Sequence, residues 1–270
     1  MLIAELIQPL NQALSSIALS LPRLLTCFLL VPVFSGRQLH GLLRMAVGIG
    51  VGMPVAAGLY YQQAVGDFSM WAMLGLYLKE AAIGLLLGFF LATPFWIFES
   101  IGTLFDTQRG ALMGQQLNPE TGDMSSVMGL LLQQSAIILM IQVGAFAWLF
   151  GLLVDSFIFW PATAWLPDFS DDAAPILVSQ AGHLISSFVL YALPLMMVLA
   201  SIELIFALVG VYSPQLQVYF LAMPAKSLVG LMVFVLYAKV LWHHGETEFL
   251  LMKEVNHILL NLLPAPFSAR

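Results

Sequence analysis

Cysteine and charge are what this sequence has least of. Cys27 is the only cysteine, so no disulfide can close within the chain and no cysteine-based metal site can form. It stands in an apolar run, where a small buried hydrophobe is the expected role. Charged residues make up 9% of the 270, against about 25% in an ordinary soluble domain. The 9 basic and 15 acidic side chains cannot cover the surface of a soluble fold of this size. The net charge of −6, with no basic cluster, argues against nucleic acid as a partner. Also missing are a Walker A sequence, His-Glu-x-x-His, Gly-x-Ser-x-Gly, and Gly-x-Gly-x-x-Gly before a helix. Nothing in the sequence supports an enzyme or a cofactor. His243, His244, Glu246 and Glu248 invite a metal reading. Adjacent histidines point to different sides of a helix, however, and no second ligand cluster follows at a known spacing. An interfacial cap on the preceding helix is the expectation there, and no metal site is assigned.

What the chain has in quantity is apolar surface: 60% hydrophobic residues and a mean hydropathy of +0.93. That surface must face lipid, other subunits, or both. A spanning helix needs about 20 mostly apolar residues. Six runs qualify or nearly so: Ile7–Phe34, Met45–Tyr61, Phe68–Phe98, Met124–Trp160, Ile176–Tyr212 and Val218–Trp242. Several hold proline (Pro22, Pro32, Pro94, Pro194, Pro224), which predicts broken, kinked or hairpin-like helices. A seventh segment, Phe249–Leu263, is amphipathic: Leu251, Val255, Ile258 and Leu262 share one face, and Lys253, His257 and Asn261 another. It suits a membrane surface or a partner helix. The N-terminus carries Glu5 and no basic flank, so the first apolar segment is expected to stay in the mature protein. The expected fold class is all-α and membrane-type, one unit over 1–270.

The polar connections are few. One carries Arg37, His40 and Arg44; another carries Asp168, Asp171 and Asp172 with no base. The basic loop prefers the cytoplasm and the acidic one the far side, but Lys253 and Arg270 pull the other way if all six runs cross, so charge bias fixes no topology. Charges inside the apolar runs are Arg23, Lys79, Glu80, Asp155, Glu203, Lys226 and Lys239. Such groups are costly unless paired or functional. Glu203 and Lys226, on consecutive segments, could pair across a helical hairpin. Gly84 and Gly88 form a Gly-xxx-Gly face on which helix backbones can approach.

The 99–123 region differs in kind. At helical spacing Glu99, Thr103, Asp106 and Arg109 fall near one face, and Asp106 with Arg109 can pair at i, i+3. Gly110 follows, then Ala111, Leu112, Met113, Gly114, Gln115, Gln116, Leu117 and Asn118, with Pro119 and Gly122 supplying turn chemistry. A flexible segment of glycine, amide and methionine, tethered at one end by a charged pair, suits a seal over an aqueous path. A solvated connector is the plainer alternative.

At this point the chain resembles the SctT/FliR family of type III secretion export-gate proteins, over most of its length. The matching residues begin with Arg23, Pro32 and Arg44 and continue through Glu80, Gly84 and Gly88. They peak at Gly102-xxx-Asp106-x-Gln108-Arg109-Gly110 with Asn118-Pro119-xx-Gly122. They resume at Ser213-Pro214-Gln215-Leu216-Gln217-Val218-Tyr219-Phe220 and Pro224-x-Lys226. The Asp-x-Gln-Arg-Gly form is similar to the injectisome branch, SctT. The resemblance implies a hetero-oligomer with SctR-like and SctS-like subunits around a secretion channel, an SctU-like switch protein outside, and unfolded substrates in transit. It implies an SctR-like part over 1–175 and an SctS-like part over 176–270. It implies that Gly110–Asn118 projects into the channel as a plug, anchored by Asp106, Gln108, Arg109, Pro119 and Gly122. Packing roles fall to Arg23, Glu80, Gly84, Gly88, Glu203, Pro214, Pro224 and Lys226. It also implies a bacterial inner-membrane location, with helices inclined in a complex partly raised above the membrane, so that apolar surface meets sister subunits more than lipid. A secondary transporter, coupling through Glu203, Lys226 and Asp155, and a purely structural scaffold are the alternatives.

Overall fold

The computed structural model describes residues 2–36, 38–61, 69–110, 126–165, 173–213 and 218–262. Among these residues there is no strand. The helices are α1 (Leu2–Leu30), α2 (Gly41–Tyr61), α3 (Met70–Gln108), α4 (Val127–Val143), α5 (Ala145–Phe159), α6 (Ala173–Tyr212) and α7 (Val218–Leu262), with a 3-10 turn at Pro32–Phe34. Five helices are long and apolar enough to cross a membrane, or six if α4 and α5 count as one span.

Several boundaries differ from the sequence expectation. The α1 helix ends at Leu30, before the 3-10 turn, and α3 runs on to Gln108, so the polar stretch after Phe98 is helical. The Met124–Trp160 run divides into α4 and α5. The break falls at Gly144, whose φ of +77° belongs to the left-handed region open to glycine. No proline marks it. Helices α1, α3, α6 and α7 instead continue through Pro22, Pro94, Pro194 and Pro224. Thr26 donates to the carbonyl of Pro22 at 2.8 Å, and Tyr237 donates to that of Tyr191, one turn before Pro194, at 3.1 Å. The segment expected as a separate helix from Phe249 is the continuation of α7. His243 and His244 therefore lie inside a helix and do not cap one. His244 Nδ1 lies 2.8 Å from the Val240 carbonyl of the preceding turn. The polar residues between the apolar stretches include no proline, so nothing stops the backbone ladder there.

The chain divides into two compact units. The first comprises 1–93, 144–178 and 251–270; the second comprises 94–143 and 179–250. In the first, α1 and α2 run antiparallel. They meet where a Cβ on Gly48 would lie 3.3 Å from Leu25, and one on Gly52 would lie 3.1 Å from Ser20 and Leu24. The first part of α3 runs parallel to α1. Gly84 lies against the backbone of Arg23, and Gly88 against that of Cys27. The expected Gly-xxx-Gly packing face is thus an α1–α3 contact within one chain. Phe28, Phe34, Phe146 and Phe150 add an aromatic cluster, with Phe28 and Phe34 stacked at 4.1 Å.

In the second unit, α6 and α7 form an antiparallel pair, and α7 crosses the end of α3 through glycines. A Cβ on Gly245 would lie 2.6 Å from the Phe98 ring, and one on Gly230 would lie 2.9 Å from Leu199 and 3.3 Å from Phe105. Only 17% of the most apolar window of α6 or of α7 is buried within the chain, against 67% for α3. Helix α3 buries most of its apolar window, whereas α6 and α7 turn apolar surface outward.

Candidate functional site

Helix α3 ends in the way its sequence dictates. Gly110 follows the last turn with φ +79°, and its N–H donates to the Thr107 carbonyl at 3.2 Å. A glycine in the left-handed region just past a helix closes the carbonyls that the last turn leaves open. One turn earlier stands Asp106, buried to 1% exposure. Its Oδ1 accepts from Arg109 Nε at 2.9 Å and Nη2 at 2.6 Å. Its Oδ2 accepts from the Ser126 hydroxyl at 2.6 Å and from the Met128 N–H at 2.9 Å.

The second pair of bonds belongs to another helix. Ser126 is the residue before α4, and its hydroxyl accepts the Gly129 N–H at 2.9 Å, as an N-cap serine does. Asp106 satisfies the Met128 N–H of the same turn, and its negative charge sits where the α4 dipole favours an anion. One carboxylate thus ties the end of α3 to the start of α4. The helices must approach closely for this to happen. A Cβ on Gly102 would lie 2.5 Å from the Met128 carbonyl, and one on Gly129 would lie 2.6 Å from Thr103 Oγ1. Gln133 adds a bond from Nε2 to Glu99 Oε2 at 2.6 Å.

Beside this junction lies a cleft of about 410 Å³. The α3 end lines it with Thr107, Gln108, Arg109 and Gly110; α6 contributes Glu203, Phe206, Ala207 and Gly210; α7 contributes Ala222, Met223 and Lys226. Lys226 Nζ lies 3.0 Å from Glu203 Oε2, so the pair expected across the α6–α7 hairpin is present. Its members differ: the Lys226 side chain is 11% exposed and that of Glu203 62%.

A second charged cluster lies in the first unit. Fully buried Arg23 grips Glu80 with two parallel bonds, Nε to Oε2 at 2.7 Å and Nη2 to Oε1 at 3.0 Å. It also donates to the Ser156 hydroxyl at 3.1 Å and the Trp160 carbonyl at 2.8 Å, and its guanidinium lies 3.9 Å from the centre of the Phe157 ring. Lys79 lies 2.7 Å from Glu80 Oε1 and donates to the carbonyls of Pro161, Ala162 and Ala164 at 3.2, 2.9 and 2.7 Å. One carboxylate serves two cations, and both cations hold the turn after α5.

Of the residues singled out in the sequence, Asp106, Arg109, Gly110, Gln108, Glu203 and Lys226 gather around the cleft or its floor. Arg23, Glu80, Gly84 and Gly88 gather at the α1–α3 contact. Pro224 lies within α7. Ala111, Leu112, Met113, Gly114, Gln115, Gln116, Leu117, Asn118, Pro119, Gly122 and Pro214 lie outside the described residues. Sequence reading missed Ser126, Gly129 and Ser156. Ser126 carries a usable signal, an N-cap residue directly before an apolar helical run.

These features define a helical membrane-type protein whose scarce charges pin its helices. Residues 14–252 match the family described as bacterial export proteins, family 1. The chain is 33% identical over 266 residues to Yop proteins translocation protein T of Yersinia pestis, across 97% of this chain and 99% of that protein. It is 29% identical over 245 residues to secretion system apparatus protein SsaT of Salmonella typhimurium, across 89% and 93%. To flagellar biosynthetic protein FliR of Pectobacterium carotovorum it is 26% identical over 242 residues, across 89% and 90%. The chain belongs to this family of bacterial type III secretion export proteins. The higher identity to the Yop protein than to FliR agrees with the injectisome-type Asp-x-Gln-Arg-Gly form.

Proposed function

We propose that this protein is a gate and entry-portal subunit of the export apparatus, without enzymatic activity of its own. It joins SctR-like and SctS-like subunits, its 1–175 part taking the SctR-like place and its 176–270 part the SctS-like place. An SctU-like protein packs outside. The assembly sits in the bacterial inner membrane, partly raised to the periplasmic side. Unfolded substrate passes through the assembled pore, and Gly110–Asn118 closes it at rest.

The observation that carries this reading is the double duty of Asp106. Residues 110 and 126 bound the Gly/Gln/Met segment, and the helix ends behind both are bonded to this one carboxylate. A closing segment needs such a base, because force from a passing chain must not pull its ends apart. A plain solvated connector needs no buried carboxylate with four donors at its root.

The test is deletion of Gly110–Asn118 in cells that assemble the apparatus. The expected result is an assembled complex that leaks ions or small solutes. Unchanged membrane impermeability with the shortened protein incorporated would count strongly against the seal.

A further inference from the structure

Apart from His183, Glu203 is the one acidic or basic side chain in the forty residues of α6. It is also 62% exposed, on a helix whose neighbouring outward residues are apolar: Leu204 is 63% exposed, Ile205 59% and Leu208 53%. An ionised carboxylate is not left facing lipid inside an apolar helix; it turns to a bundle interior or to a partner charge. Lys226 comes from beneath, with its side chain nearly buried, and reaches Oε2. The outer part of the carboxyl group remains open to whatever covers α6.

The surroundings fit a protein rather than lipid. Ala200, Ala207 and Gly210 flank Glu203 at helical spacing, and small residues at such positions let a second backbone come close. Ala207 and Gly210 also line the cleft, which gives a long side chain room to enter. Arg109, the other cation of the cleft, is neutralised by Asp106 at 2.6 Å. The chain already contains one carboxylate held between two cations, Glu80 between Arg23 and Lys79.

We propose that Glu203 is half of an intersubunit ion pair: a helix of another apparatus subunit packs on α6 and brings a lysine or arginine to this carboxylate. This rests on the reading of the chain as one subunit of an assembled gate. A charge swap separates an intrachain role from an intersubunit one. In Glu203→Lys with Lys226→Glu the internal pair is kept with its sense reversed, while the outer surface changes sign.

The experiment compares tagged wild type, E203K and E203K/K226E in cells expressing the whole apparatus, measuring protein level in the membrane and recovery of co-purified apparatus subunits. E203K is expected to lower recovery by about thirtyfold or more, as loss of one member of a buried interfacial charge pair does. The swap is expected to restore the level of the chain and leave recovery low. Recovery restored by the swap would overturn the proposal, since the carboxylate would then serve Lys226 alone. If the swapped chain does not accumulate, a photo-crosslinker at Leu204 of the otherwise wild-type protein decides. An adduct to an apparatus peptide bearing a basic residue in an apolar helix supports the pair. Lipid adducts alone, or a peptide without a basic residue, overturn it. Failure of the wild type to co-purify with any apparatus subunit would instead count against the proposed function.

Discussion

Asp106 and Met128 are joined by a 2.9 Å hydrogen bond from the Met128 amide to a carboxylate buried in the last turn of α3. With Arg109 and Ser126 on its other positions, this carboxylate has four donors. Replacing Asp106 by asparagine keeps the size and removes the charge, and one amide nitrogen then faces a donor. We expect Asp106→Asn to destabilise the second unit by about 2 kcal/mol and Asp106→Ala by about 3 kcal/mol or more. Protease sensitivity between Gly110 and Ser126 should rise in the same order. Wild-type resistance in both variants would mean that the junction is held by something else.

Arg109 presents two nitrogens to one oxygen of Asp106, a fork that lysine cannot reproduce. Arg109→Ala should therefore impair secretion more than incorporation into the apparatus, and Arg109→Lys should fall between it and wild type. Secreted protein per assembled complex is the quantity to measure. Normal secretion by an incorporated Arg109→Ala protein would remove the anchoring role.

The glycines make a graded prediction. A methyl group on Gly102 meets the Met128 carbonyl at 2.5 Å, whereas at Gly50 and Gly58 nothing lies within 4 Å. Gly102→Ala should destabilise by about 1–3 kcal/mol, the usual cost of overpacking. Gly50→Ala and Gly58→Ala should be neutral, or stabilising by up to about 1 kcal/mol through helix propensity, unless another subunit packs there. Melting in detergent tests the chain alone; co-purification of the Gly50 and Gly58 variants tests for that neighbour.

Arg23 and Glu80 form a buried pair, and such pairs are strongly coupled. Arg23→Met or Glu80→Gln alone should cost about 3–5 kcal/mol, because each leaves buried charge or donors uncompensated. The double variant should cost less than the sum of the two, by an amount between about 0.5 and 3 kcal/mol. Denaturation of the purified chain in mixed micelles measures all four corners of the cycle, and strict additivity would contradict the geometry.

How far the sequence could be read follows from the range of each interaction. Local features were legible. The i, i+3 pair of Asp106 and Arg109, the glycine after α3 and the close-packing face at Gly84 and Gly88 are set by spacing along one helix. The Glu203–Lys226 pair was reachable because α6 and α7 follow one another closely in the sequence. Long-range partners were not: Arg23 and Glu80 are 57 residues apart, and no periodicity links them. The second duty of Asp106, at Ser126 and Met128, depends on where α4 begins, and hydropathy places that edge too early. The break at Gly144 was hidden for a similar reason. A glycine inside an apolar run reads as packing until its φ is known, whereas Pro22, Pro94, Pro194 and Pro224 signal breaks in the sequence and end no helix.

Lys79 shows what these scarce charges mean for a protein of the membrane type. Its ammonium is surrounded by three backbone carbonyls and a carboxylate oxygen, all within 3.2 Å. Oxygen shells of this kind are what ion channels use to strip water from a potassium ion and pass it on. Here the cation is covalently attached to the wall. The tethered ammonium occupies these oxygens itself, so they serve as a fixed joint between α3 and the turn after α5.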